Sequence, residues 1–271
     1  MKGLFSLAFN NLKEIIRQPF YYILLLSGCF VIFMSFMFTF FAFGEEMRMI
    51  KDMAISTITV CGLLVGILSS SVLITKEFKR KTILSLLSKP ITRIQIILGK
   101  YFGIITAVII LIVSQGIFLE VLIGLDTVLG FSTIERHAAT LHSTHLIDYY
   151  CLQGVYFSLL QILMLTSISL ILSIYLNVTS NLIICFLVFV LSHIITYAFS
   201  FCDKVPAAVS VFIKICYMLF PSFSNLNIFA VESVAREYVT LYIFYSSLYS
   251  IMYCAIIMYV AVVCFKRKEF F

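Results

Sequence analysis

Between Asp148 and Asp203 the chain carries no Asp, Glu, Lys or Arg for fifty-four consecutive positions. One helix of that length would reach about 80 Å at ~1.5 Å per residue, so the run must fold back on itself. A soluble domain has no use for such a stretch. The composition agrees, with 62% apolar and 12% charged residues against roughly 45–50% and 25% in soluble domains. The expected fold is an all-α integral membrane protein. Eight cysteines form no C-x-x-C pair, and most lie inside apolar runs, where Cys behaves as a small hydrophobe.

Residues 1–19 place Leu4, Phe5, Ala8, Phe9, Leu12, Ile15 and Ile16 on one helical stripe. Ser6, Asn10, Lys13, Glu14 and Arg17 take the other face and Pro19 ends the segment, the pattern of a helix lying in the membrane surface. Residues 20–43 are twenty-four positions without charge, enough to cross ~30 Å of hydrocarbon and too long for a signal peptide. Glu45, Glu46, Arg48, Lys51 and Asp52 read as a short polar turn before a second span at 53–75. That span holds Gly62-x-x-x-Gly66, a close-packing pattern in membrane helices. A third span falls at 94–125, with nineteen uncharged residues between Lys100 and Glu120, and a polar loop follows at 126–148.

Within the fifty-four-residue run, Asn177-Val178-Thr179-Ser180-Asn181 is the one turn-like cluster. It divides the run into a fourth span near 149–176 and a fifth near 182–201. Residues 215–231 are apolar but broken by Pro221-Ser222-Phe223-Ser224-Asn225. They suit a re-entrant or interfacial element, placed at about 205–231, better than a span. A sixth span at 238–265 precedes Lys266-Arg267-Lys268. With both termini in the cytoplasm, thirteen of the nineteen Lys and Arg lie inside, as the positive-inside rule requires.

The densest charge is at Glu77-Phe78-Lys79-Arg80-Lys81-Thr82-Ile83-Leu84-Ser85-Leu86-Leu87-Ser88-Lys89-Pro90-Ile91-Thr92-Arg93, followed by Gly99-Lys100. Pro90 interrupts any helix there, because it removes a donor and restricts Lys89. This stretch resembles the Glu…Gly-Thr-Leu…Leu-Leu-Ser-x-Pro-Val/Ile-x-Arg…Gly-Lys pattern of ABC-2-type transporter permeases, with Lys81 standing where that family carries Gly. Phe220-Pro221-Ser222-Phe223-Ser224-Asn225-Leu226 is similar to the turn in the family's external broken helix before the last span.

The resemblance implies a single ABC-2-type transmembrane domain over 1–271. It would be the permease subunit of an ATP-driven exporter in the cytoplasmic membrane, working as a homodimer. Segment 76–93 would be the cytoplasmic coupling element, docking on a separate ATP-binding subunit through Glu77, Phe78, Lys79, Arg80, Lys81, Thr82, Leu84, Leu87, Pro90 and Arg93. Arg93 and Lys100 would sit at headgroup level. ATP and Mg would be held by that partner, with no cofactor on this chain.

The chain itself carries no catalytic constellation. Gly99-Lys100 is followed by Tyr101 and preceded at the required spacing by Ile94, so it is no phosphate-binding loop. H-E-x-x-H and G-x-S-x-G are absent as well, so the chain is not expected to be an enzyme on its own, and nothing calls for nucleic acid. An ionisable group inside a span costs at least about 2.5–3.5 kcal/mol for the charged types and so marks function. On that ground His193 in span five and Glu120 near the outer end of span three are candidate pathway residues. His137, His142 and His145 are the weak candidates for a metal, on the spacing of imidazoles along a helix face. A non-transporting membrane scaffold or sensor, and a channel or secondary transporter, are the alternatives. The last class usually shows internal repeats, and none is visible here.

Overall fold

The computed structural model describes residues 2–36, 46–80, 93–129, 149–200, 210–211, 214, 220–226 and 238–267. Every element among them is helical. In chain order these are α1 (Lys2–Ile16), α2 (Pro19–Ser35), α3 (Glu46–Arg80), α4 (Arg93–Leu129), α5 (Tyr149–Tyr175), α6 (Val178–Ser200), a 3-10 turn η1 (Phe223–Leu226) and α7 (Val239–Arg267). Among the described residues five helices are long and apolar enough to cross a membrane, or six if α1 and α2, bent by 65° at their junction, count as one broken span. The chain is an all-α membrane protein.

The bend has a local cause. Pro19 has no N–H to continue a helix from α1 but suits a first helical turn, and Gln18 takes extended backbone angles just before it. α1 then packs across the start of α4, where Gly103 leaves room. A Cβ there would stand 2.7 Å from Asn11 Cβ and 2.8 Å from the Ala8 carbonyl. The apolar stripe of α1 is divided as a result. Ile15 is buried, whereas Phe5 and Phe9 are 80% and 59% exposed.

α3 and α6 begin earlier, and α3, α4 and α7 end later, than their spans suggest. Glu46, Arg48, Lys51 and Asp52 form the opening turns of α3, correcting the polar turn expected there. No breaker lies among them, and an acidic residue in a first helical turn suits the helix dipole. Residues 126–129, read as loop, continue α4. The break between α5 and α6 is confined to 176–177, so Val178–Asn181 is the first turn of α6 rather than a connecting turn. Asn177 still closes that turn by accepting from the Asn181 N–H at 2.9 Å.

α3, α4 and α5 form the interior. In their most apolar windows 72%, 61% and 72% of residues are buried, against 17% for α6 and 22% for α7. α3 and α5 run parallel in one register. Asp52 meets Tyr150, Thr59 meets Ser158, and Ser70 meets Ser169, at sequence offsets of 98, 99 and 99. Between these pairs Gly62 faces Ile162 and Gly66 faces Thr166, where an added Cβ would stand 2.6 and 2.1 Å from the opposing side chain. Glycine at both positions lets the backbones approach, the use such residues serve in membrane helices.

Candidate functional site

The described helices define two ends of the bundle. α1, the end of α3, the start of α4 and the end of α7 gather at one; the start of α3, the start of α5 and η1 gather at the other. The first end carries Lys13, Arg17, Lys76, Lys79, Arg80, Arg93 and Arg267. α3 continues as helix for more than a turn beyond its span, from Thr75 to Arg80, and α4 starts at Arg93. Glu77, Phe78, Lys79 and Arg80 therefore stand on the extension of α3. Lys81, Thr82, Leu84, Leu87 and Pro90 lie outside the described residues. Lys100, expected at headgroup level, is enclosed by protein at 5% exposure. The polar face of α1 adds a groove of about 510 Å³ at the α1–α2 bend, lined by Asn10, Lys13, Glu14, Arg17, Gln18 and Pro19.

A ladder of small polar groups runs from this end toward the other. Asn181, fully buried, donates through Nδ2 to Ser71 Oγ, to Ser169 Oγ at 2.9 Å and to the Ser169 carbonyl at 3.2 Å. It ties α6 to both interior helices at once. Ser70 and Ser169 join one step along, and the Thr59–Ser158 pair, at 2.7 Å, lies four turns of α3 before the Thr75 limit of its span. Tyr101 Oη donates to the Leu163 carbonyl at 3.1 Å and Tyr21 Oη to the Ala107 carbonyl at 3.3 Å, joining α4 to α5 and α2 to α4. In the sequence Asn181 stood out only as a turn former, and the hydroxyls not as partners, because a lone Ser or Thr in an apolar run can satisfy itself on its own backbone.

At the other end Gln161 of α5 donates to the Phe223 carbonyl at 3.2 Å and the Leu226 carbonyl at 2.8 Å. From α7, Tyr242 Oη donates to the Asn225 carbonyl, and Tyr249 Oη accepts from the Ser222 N–H at 3.3 Å. The 220–226 segment is thus held by side chains of two different helices. Phe223, fully buried, packs its ring against Phe189 and His193 of α6 at 5.8 and 6.1 Å.

His193 lines a cavity of about 240 Å³ with Ile55, Ser56, Thr59, Val60, Gly154, Phe157, Ser158, Gln161, Phe189 and Leu226. Glu120 is half-buried on α4 and is not among those lining residues, so the two candidate pathway residues do not share that cavity. His137, His142 and His145 lie outside the described residues. Among the described residues no group of three or more His, Cys, Asp or Glu could hold a metal. The six described cysteines are free.

Together these features define a polytopic helical membrane subunit with a polar, basic end and a tightly packed interior. The family described as ABC-2 family transporter protein matches residues 35–270, and the chain belongs to it. A comparison with curated proteins found no match. Membership makes the chain the membrane part of an ABC-type transporter, a class that works with an ATP-binding partner.

Proposed function

We propose that ATP-binding subunits dock on residues 77–93 at the cytoplasmic face, with both termini on that side, and that two copies of this chain enclose an export pathway. The observation that carries the reading is the continuity of α3. Its helix passes from the span to Arg80 without a break, and its interior half is locked in register to α5 by Gly66 and Ser70, with Asn181 of α6 bridging Ser71 to Ser169. A push on 77–93 would therefore tilt α3 and α5 as one body, with α4 following through Arg93. Glu77, Lys79, Arg80 and Lys81 would make the polar contacts, and Leu84 and Leu87 would fill an apolar groove on the partner.

The test is affinity purification of the tagged chain from its native membrane in mild detergent, with mass spectrometry of what accompanies it. The expected companion is a soluble protein with a Walker A motif in roughly equimolar amount, and the complex hydrolyses ATP. Recovery of the folded chain alone would favour a lipid-facing basic loop at 77–93 and a scaffold role.

A further inference from the structure

The geometry points to the His193 cavity as a binding site, within one chain, for the hydroxyl headgroup of an uncharged lipid. Ser56 lies four residues along α3 from Asp52, the last charged residue before the apolar stretch, so about 6 Å inside it at ~1.5 Å per residue. Ser56 is exposed at the rim, Val60 beside it is 46% exposed, and Met53 one turn away is 43% exposed. The rim thus belongs to the bundle's outward surface about one helical turn inside the membrane boundary, and the occupant arrives from the bilayer.

Hydrogen-bond accounting then fixes the chemistry. Gln161 spends both amide hydrogens on the Phe223 and Leu226 carbonyls. Because both partners are carbonyls, the nitrogen must face them, and Oε1 is left as an acceptor. His193 Nδ1 lies 3.1 Å from the Phe189 carbonyl. It donates there, so in the neutral ring Nε2 is an acceptor too. Thr59 and Ser158 hold two hydroxyl hydrogens for three contacts: the Ile55 carbonyl at 2.8 Å, the Gly154 carbonyl at 2.8 Å and each other at 2.7 Å. They keep lone pairs and have no hydrogen to spare. The inner wall therefore accepts and does not donate, with the Ser56 hydroxyl a donor only at the rim, and an occupant must bring a hydrogen-bond donor, which an uncharged hydroxyl supplies.

Among the described residues no Asp, Glu, Lys or Arg lines the cavity. A cation would be desolvated there without a counter-charge, and a phosphate would meet acceptors, both costly. About 240 Å³ corresponds to about eight waters at ~30 Å³ each, room for a glycerol or prenol head but not for its chains. Phe157, Phe189 and Leu226 supply the apolar wall for the first carbons. This site needs no ATPase and stands apart from the transport reading.

The experiment is equilibrium binding of tritiated dioctanoylglycerol to the purified full chain in phosphatidylcholine nanodiscs. Saturable binding is expected, with about tenfold or greater weakening for the same lipid acetylated on its free hydroxyl. Ser56→Trp, which fills the rim from the lipid side, should cost a similar factor, and His193→Phe several-fold. Ile194→Trp, on the outward face of α6 and outside the cavity, should bind as the parent does. Should Ser56→Trp lose its monodisperse elution, Val60→Trp takes its place. Equal binding of the acetyl ester, or of both rim variants, would overturn the proposal. Full competition by free glycerol, by dodecylamine or by phosphatidylglycerol would overturn it in favour of a soluble polyol, a cation or an anion.

Discussion

α5 and α6 are adjacent in sequence and nearly equal in mean hydropathy, 2.1 and 2.3 over their apolar stretches. Yet the first is largely buried and the second faces outward. Apolarity cannot separate them, because lipid is as apolar as a protein interior and offers no hydrophobic gain for helix association. What differs is the distribution of small and hydrogen-bonding residues. α5 turns Gly154, Ser158, Gln161, Thr166, Ser167, Ser169 and Ser173 inward, whereas α6 presents Ile183, Phe186, Leu187 and Ile194 outward. In this chain, inside is where side chains are small or have a partner on another helix.

Two glycines offer the sharpest way to break that comparison. Gly66→Leu should leave little folded protein, since even a Cβ would stand 2.1 Å from Thr166 Cγ2; about 3 kcal/mol or more is expected for overpacking there. Gly124→Ala, with nothing within 4 Å of the added Cβ, should be neutral or stabilising by up to ~1 kcal/mol. Thermal unfolding in detergent checks both, and similar losses would mean that α3 and α5 are not in the described register. Next in size is Gln161→Leu, which strips the Phe223 and Leu226 carbonyls of their donor. It should cost about 1–3 kcal/mol and speed proteolysis within 220–226.

A double-mutant cycle of Asn181→Ala with Ser71→Ala should return a smaller coupling, about 0.6 and at most ~1.7 kcal/mol. A cycle value of zero would remove Asn181 as the tie between α6 and the interior. Smallest of all, Ile256→Ala on the outward face of α7, 61% exposed, should fall within ~0.5 kcal/mol of the parent.

The same contrast explains what could be read from the chain alone. Uncharged runs and their basic flanks announce an all-α membrane protein, because charge in hydrocarbon is costly whatever the neighbours. Asn181 was legible only as a turn former, since its value as a buried donor depends on Ser71 and Ser169, 110 and 12 positions earlier in the chain. Glu46 to Asp52 misled for the opposite reason: polarity there marks the membrane boundary, and the helix passes through it. His193 was visible as an ionisable group in a span. Its companions Ser56, Thr59, Ser158 and Gln161 were not, because four residues from two other helices share no sequence period with it.

Docking of an ATPase on residues 77–93 is what would couple nucleotide to the helices, and one measurement reaches it directly. Tagged parent and the Leu84→Asp, Leu87→Asp double variant are purified side by side, at matched membrane insertion, and the co-purifying ATPase is quantified. The account predicts near-complete loss of the ATPase from the double variant, with the permease itself still inserted and monodisperse. Recovery of the partner at the parent's level would contradict it.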